Sequence, residues 1–524
     1  MQDIPERAWQ IGVIVILLIA AVLRLYDLNL VPLHHDEGVN GNFLVRLVRE
    51  GDYRYDPENY HGPTLYYFSA LIPWVTRLLF GVAARDHYGL TTFTIRLIPV
   101  LFGLGTIGLV FMLRRRLGTV ATLSAALMLA VSPGAVYLSR YFIHETQFVF
   151  FTLGIVVACL RFYDTRNPTY LILASASAAL LFATKETAMI SAGVLFIAFV
   201  STHLYRLLYR VTIGNPSGKS RKPGRQESGA SLFLDDIGKP NLLISAAVAV
   251  IVFVFLNVLF YSSFFNNAQG VYDSLKTFEI WRKTGQTAHV HSPFTYFLWL
   301  FRQEGPMLFL GLIGALLVVL RPKNLFALFA ALWAFGLIAA YSLIPYKTPW
   351  LVLNFIVPLA LVAGYVIQFI YELDGGQVRI VAIFLSLAIG ISTYQTIDLN
   401  FINYDNDNSY YVYVYAHTRR GLLELVHNVE QIAKEKEGPT TGITIVSPDY
   451  WPLPWYLRNF SRVGYFGRFA PSTEPLIIAN ESQRPEMERN YGEVYREVRS
   501  NDPSGSYELR PGVRLLLYVR RNNL

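Results

Sequence analysis

Apolar stretches of about 20 residues recur along the chain, and about 20 is the number a helix needs to cross a hydrocarbon layer. About eleven can be marked, over residues 9–27, 94–113, 119–138, 147–163, 169–184, 187–208, 241–262, 296–320, 325–344, 350–371 and 378–396. Composition supports the same class. Of 524 residues, 53% are hydrophobic and only 16% are charged, where a soluble domain usually carries about 25%. So few charges cannot clothe several water-soluble globules, which leaves a polytopic helical membrane protein. The stretch 296–320 is the weakest, because Arg302 and Glu304 interrupt it. Each charge costs about 2.5–3.5 kcal/mol at a helix centre, so both are expected near an interface or on a polar cavity. The first apolar run, Trp9–Leu23, is followed by Arg24 and Asp27 rather than by a small-residue cleavage site, and is expected to be the first span.

Basic clusters set the expected orientation. Arg114–Arg116, Arg161 with Arg166, the run from Arg206 to Arg225, and Arg321 with Lys323 fall on one side if the spans alternate. That side is expected to be cytoplasmic, which places the amino terminus inside and everything after residue 396 outside. The formal charge of +8 is thereby explained by topology, with no nucleic-acid partner implied. Residues 209–240, rich in Gly, Ser, Pro and Lys/Arg, are expected to be a flexible cytoplasmic loop. The transmembrane unit is expected to be 1–396. Its long first outer loop, 28–93, carries interfacial helices at Val39–Glu50 and Thr64–Phe80, the second holding Pro73 and Arg77. The tail, 397–524, has a soluble composition, with helical periodicity over Leu422–Lys436 and strand patterns at Gly442–Val446 and Val513–Val519. About 130 residues suffice for one small α/β domain. The single cysteine, Cys159, excludes an intrachain disulfide and a cysteine-based metal cluster.

Acids and bases gather on the expected outer face. His34-His35-Asp36-Glu37 follows the first span; Tyr60-His61-Gly62-Pro63 lies in the same outer loop; Arg140 to Thr146, with His144 and Glu145, turns after the third span. Lys185-Glu186 ends the fifth span, and Pro345-Tyr346-Lys347-Thr348-Pro349-Trp350 ends the ninth. A carboxylate there can take a proton from an acceptor hydroxyl or bind a metal, and cations can hold a phosphate leaving group. Simpler readings stand beside these: a local Lys185–Glu186 pair, an Arg140 that snorkels to headgroups, a His61 packed in a turn, and a Lys347 that anchors at the interface. His35, Asp36, His144 and Glu145 have the donor types for Zn, Mn or Mg, without a diagnostic spacing.

Together the acidic pair after the first span, the long outer loop with His61-Gly62-Pro63 and the basic-acidic turn after the third span resemble the GT-C superfamily of membrane glycosyltransferases. The likeness is to the branch of protein O-mannosyltransferases and aminoarabinose transferases (glycosyltransferase family 39). Arg140-Tyr141-Phe142, the 345–350 element and Ser447-Pro448-Asp449-Tyr450-Trp451-Pro452-Leu453-Pro454-Trp455-Tyr456-Leu457-Arg458 resemble more narrowly an archaeal and bacterial subgroup labelled flippase-associated. The resemblance implies that Asp36 is the catalytic base, supported by Glu37. The donor would be a polyprenyl-phosphate-linked sugar, attacked in one inverting displacement and passed to a protein, lipid or glycan acceptor outside the cytoplasm. Arg140, Lys185 and Lys347 would hold the phosphate, and His61, His144 and Glu145 would line the substrate site. His144-Glu145 departs from relatives that carry two acids there. Ser447–Arg458 suits sugar contact through its rings and Asp449, and suits equally the docking of the tail onto the membrane unit.

Two other functions are compatible with these features: a flippase component that guides a lipid-linked glycan, and a scaffold of an envelope assembly complex. A flippase needs cations and a polar path but no base, and transport sites usually lie near the midplane. The acids cluster at one face, and no Gly-x-x-x-x-Gly-Lys-Ser/Thr run for nucleotide binding occurs. The sequence therefore favours a transferase in the cell membrane.

Overall fold

The computed structural model describes residues 4–59, 61–213, 239–287, 289–373 and 378–521. Most of the expected basic loop, and Tyr60 of the Tyr60-His61-Gly62-Pro63 element, lie outside the described residues; residues 209–213 continue the preceding helix, Ala188–Ile213. Among the described residues eight helices are long and apolar enough to cross a membrane, and two bent pairs raise the number to ten. The helix Pro168–Phe182 is apolar but only 15 residues long. At about 1.5 Å per residue it falls short of a hydrocarbon thickness of about 30 Å, which is why the expected span over 169–184 is not among the ten.

Both bends occur where the chain exposes polar backbone. Thr119–Ala130 and Pro133–Ser139 meet at 59°, and Thr295–Gln303 and Gly305–Leu320 at 116°. Pro133 lacks the N–H that would continue the first helix, so carbonyls before it lose their partners. Arg24, buried in the first helix α1 (Glu6–Leu25), donates to Leu129 O (2.9 Å) and Ala130 O (3.0 Å), and Thr396 Oγ1 donates to Val131 O (2.6 Å). Glu304 sits at the second break and reaches the first, where its Oε1 accepts from Ser132 Oγ (2.9 Å) and Gly134 N (2.7 Å). The charge that weakens span 296–320 in the sequence therefore caps a helix inside the bundle. Arg302 lies on the outside of that break and donates to Ser409 O at 2.6 Å.

Two helices occupy the long loop after α1: α2 (His35–Glu50) and α3 (Thr64–Phe80). The start of α2 is a capping box. His34 Nδ1 accepts from Asp36 N (3.1 Å), Glu37 Oε2 accepts from His34 N (3.0 Å), and Gly51 ends the helix at φ +70. Along α3, Leu71, Trp74, Val75, Leu78, Leu79 and Phe80 are exposed, an apolar strip that suits a helix at a membrane interface. A further helix, Ala268–Thr287, has no counterpart among the sequence-based elements.

After Ile402 the chain folds around a six-stranded sheet: β1 (Ile443–Ile445), β2 (Val463–Tyr465), β3 (Leu476–Asn480), β4 (Tyr495–Val498), β5 (Tyr507–Arg510) and β6 (Val513–Arg520). The order is β2-β1-β3-β6-β4, with β5 also on β6; β1 runs parallel to β2 and β3, and β6 antiparallel to β3, β4 and β5. The helix Gly421–Lys434 packs Leu422, Leu425 and Val429 on one face, and Met487 covers the other.

Residues 449–458 join this sheet region to α2. A Cβ on Gly38 would lie 2.4 Å from Pro452 Cβ and 2.8 Å from its Cα, and one on Gly41 would lie 2.6 Å from Trp455 Cε3. Small residues on α2 thus admit the segment, and Tyr456 OH accepts from Leu33 N (2.9 Å) while Arg458 donates to Leu90 O (2.7 Å). Of the two readings of Ser447–Arg458, docking describes Pro452, Trp455, Tyr456 and Arg458. Gly38→Ala should therefore loosen the junction, because a backbone atom rather than a flexible side chain must yield, at a cost of about 1–3 kcal/mol. Limited proteolysis between residues 403 and 420 should cut the variant faster than wild type; equal rates would show that the junction does not depend on this approach.

Candidate active site

A capped helix start places Asp36 in the first turn of α2, where the N-terminal end of the helix dipole favours a carboxylate. Its side chain is 40% exposed and opens into a cavity of about 460 Å³. His34, His35, Asn40, Glu58, Asn59 and His61 contribute from the long loop, Glu145 from the start of the helix after the third span, and Lys185, Glu186 and Thr187 from the turn before Ala188. His289, Tyr341, Tyr346, Trp350, Tyr415 and Arg510 complete the wall. Candidates more than 300 residues apart in sequence thus share one space.

Ion pairs organise the floor. Lys185 Nζ is bonded to Glu145 Oε1, both buried, and His61 Nδ1 donates to Glu186 Oε2 at 3.1 Å. Burial opposes the Lys185 charge, but Glu145 and Glu186 outweigh it and hold the ammonium above the ordinary lysine value. Burial likewise opposes ionisation of Glu186, yet His61 and then Lys185 keep it below the usual glutamate value. Lys185 is therefore hydrogen-bonded to Glu145, a residue 40 positions earlier, rather than to the adjacent Glu186. Beside Asp36, burial lowers the His35 pKa against the pull of the Asp36 charge, so His35 is neutral near pH 7. The Asp36 carboxylate stands 3.8 Å from His34 Nδ1, the atom that already accepts the Asp36 backbone N–H, and His34 Nε2 donates to Tyr415 O at 3.0 Å.

Not every expected site residue reaches the cavity. Glu37 is fully buried, its carboxylate bidentate on Arg96 (2.6 and 2.7 Å) and accepting from Phe142 N (2.8 Å). It positions the start of α2 rather than facing substrate. Arg140 turns to main-chain carbonyls, those of Tyr26 (2.5 Å) and Asp27 (2.9 Å) among them, and lies over the Phe401 ring. Lys347 Nζ donates to Ser342 O (3.2 Å) and Ile344 O (2.5 Å). His144 lies behind His61, ring centroids 5.0 Å apart, with Nε2 donating to Gly62 O (3.0 Å). Local sequence could not separate these from Lys185, because all are polar residues at expected span ends.

The candidate metal set His35, Asp36, His144 and Glu145 does not come together. His144 is turned to Gly62 O and Glu145 is paired with Lys185. Among the described residues no group of three or more His, Cys, Asp or Glu is placed to hold a metal ion. As placed, these four donors therefore do not form a Zn, Mn or Mg site.

Arg510, His289 and Tyr415 are lining residues with no counterpart among the sequence-based candidates; each is isolated in sequence and carries no motif.

Comparison with known proteins agrees with this architecture. The family model for dolichyl-phosphate-mannose-protein mannosyltransferases matches residues 69–213, less than half the chain. No curated protein matches by sequence. The fold is similar to that of ArnT from Cupriavidus metallidurans bound to undecaprenyl phosphate, at a TM-score of 0.61 and 14% identity, over 96% of this chain and 97% of that one. It is also similar to the archaeal oligosaccharyltransferase AglB from Archaeoglobus fulgidus in complex with an inhibitory peptide and a dolichol-phosphate, at 0.53 and 13% identity over 99% and 74%. The oligosaccharyltransferase of the same archaeon with Zn and sulfate matches at 0.51 and 12% identity over 95% and 73%.

Arg140→Ala should lower thermal stability, since charge-assisted bonds to buried carbonyls contribute about 1.5–3 kcal/mol each, while leaving the affinity for a polyprenyl phosphate unchanged. Thermal unfolding and lipid binding on the same detergent-purified variant check this; selective loss of binding would return Arg140 to the site. With its bent spans, long loop of interfacial helices, C-terminal sheet region and likeness to ArnT over nearly the whole of both chains, the protein has an ArnT-like GT-C fold.

Proposed function

We propose that the protein is a glycosyltransferase that moves a sugar from a polyprenyl-phosphate carrier to an acceptor on the extracytoplasmic face, with Asp36 as general base. The observation that carries this reading is a half-exposed Asp36 carboxylate that lines one cavity together with the Lys185–Glu145 pair and a set of aromatic rings. The undecaprenyl phosphate and dolichol-phosphate bound by proteins of similar fold support this choice of carrier.

The chemistry follows from those positions. Asp36 takes the proton from the acceptor nucleophile as that atom attacks the anomeric carbon. The bond from that carbon to the phosphate oxygen breaks, its electron pair leaves with the polyprenyl phosphate, and the configuration inverts. Lys185, kept protonated by Glu145 and Glu186, balances charge on the departing phosphate. The rings of Tyr346, Trp350 and Tyr415 offer apolar faces to a sugar. Glu37 acts at one remove: bound to Arg96, it holds the first turn of α2 and therefore the direction of Asp36.

The test uses the full chain in proteoliposomes, radiolabelled polyprenyl-phosphate sugars as donors and a membrane extract as acceptor source. Wild type should label a new acceptor, and Asp36→Asn should reduce transfer by at least about 100-fold with unchanged thermal unfolding. Normal turnover by Asp36→Asn would remove the base assignment. No transfer with any donor, together with faster movement of the lipid between leaflets, would favour a flippase component instead.

A further inference from the structure

The charges that line the cavity do not balance. Four carboxylates, Asp36, Glu58, Glu145 and Glu186, face one lysine, one arginine and the His61 imidazole that Glu186 already holds. The lysine is already engaged by Glu145, and Arg140 and Lys347 are turned to main-chain carbonyls elsewhere. An anionic substrate entering this space would meet net repulsion unless a further cation received it. The only guanidinium on the wall, among the described residues, is Arg510 of the C-terminal sheet region.

Its position is built by the local fold. Arg510 ends β5 and pairs with Val513 across the turn Pro511-Gly512, where Gly512 has φ +78, a conformation that favours glycine. The β5–β6 register shifts between Glu508 and Arg510, and such an irregularity re-aims a side chain. At the wall, Arg510 Nη2 donates to Asp449 Oδ1, and Asp449 stands at the head of the segment that docks on α2. Trp451 of that segment lies against His35, ring centroids 6.0 Å apart, so the pair sits on the Asp36 side of the cavity. Side-chain exposures of 20% for Arg510 and 37% for Asp449 make it a partly solvated pair, of a kind that contributes about 0–1 kcal/mol to stability. Stability alone is a weak reason for such a pair at a cavity wall. A guanidinium fork, in contrast, binds a phosphate or carboxylate through two parallel hydrogen bonds.

We infer that Arg510 is the substrate-anion receptor of the cavity: its guanidinium exchanges Asp449 for a phosphate or carboxylate of an incoming substrate, so that the C-terminal region completes the site. Asp449 is then a competing internal anion that holds the fork in place until substrate arrives. The inference rests on the transferase reading, because it requires that the cavity bind a lipid-linked or anionic substrate.

The competition gives the two partners opposite effects, which a merely structural pair would not. Binding of undecaprenyl phosphate to the detergent-purified full chain is compared among wild type, Arg510→Gln, Arg510→Lys and Asp449→Asn, with undecaprenol as the uncharged control and thermal unfolding measured on each. Arg510→Gln should weaken binding about tenfold, Arg510→Lys less, and Asp449→Asn should tighten it about threefold, with none of these changes for undecaprenol. A second arm adds methyl phosphate to protein saturated with undecaprenyl phosphate. If the opposite-signed effects appear only there, the anion belongs to the acceptor; if in the first arm, to the carrier lipid. Unchanged affinities in both arms, or equal weakening by Arg510→Gln and Asp449→Asn with lowered stability, would overturn the inference and leave the transferase reading standing. No binding of undecaprenyl phosphate by wild type would overturn both.

Discussion

The buried pair between Glu37 and Arg96 ties together the parts on which the cavity depends. Arg96 enters from the helix Thr92–Phe111 and donates to Leu28 O (2.7 Å) and Val31 O (2.9 Å) as well as to both Glu37 oxygens. Glu37 in turn receives the backbone N–H groups of His34 and Phe142. One carboxylate and one guanidinium thus fix the exit of α1, the start of α2, a second span and the turn after the third. Removing one partner of such a pair strands the other charge and costs about 3–5 kcal/mol, so the pair is held as a unit. Its consequence for function is directional: with Glu37 locked inward, the preceding residue on α2 faces the cavity.

Paired charges are the rule around that space. Lys185 has Glu145, His61 has Glu186, and Arg510 has Asp449. The Asp36 carboxylate belongs to none of these pairs, which suits a base that must accept a proton from substrate. Two faces of the protein meet there: rings and charges from the membrane helices, and a hairpin tip and docking segment from the C-terminal region. The glycines Gly38 and Gly41 admit the docking segment onto α2, and Arg510 of the hairpin reaches the cavity wall.

Much of this was legible in the sequence. Hydrophobic length marked the spans to within a few residues, and helical periodicity gave α3 its observed limits, Thr64–Phe80. Asp36, His61, Glu145 and Lys185 were readable as candidates because polar residues at span ends are few. What the sequence could not separate was a charge that faces substrate from one that satisfies backbone. Arg140, Lys347 and Glu304 each serve carbonyls or N–H groups freed where helices end or bend, and that need arises from tertiary geometry. Arg510 was invisible for the opposite reason. It is an ordinary arginine at the end of a short strand, and only the docking of residues 449–458 on α2 brings it to the wall.

The most direct measurement is a cryo-electron microscopy structure of the full chain in nanodiscs with undecaprenyl phosphate. The phosphate should lie inside the cavity, within hydrogen-bonding reach of Lys185 or Arg510, with the Asp36 carboxylate facing the position that the anomeric carbon of a bound donor would occupy. A phosphate bound outside the cavity, or an Asp36 turned away from it, would contradict the assignment of this cavity as the transfer site.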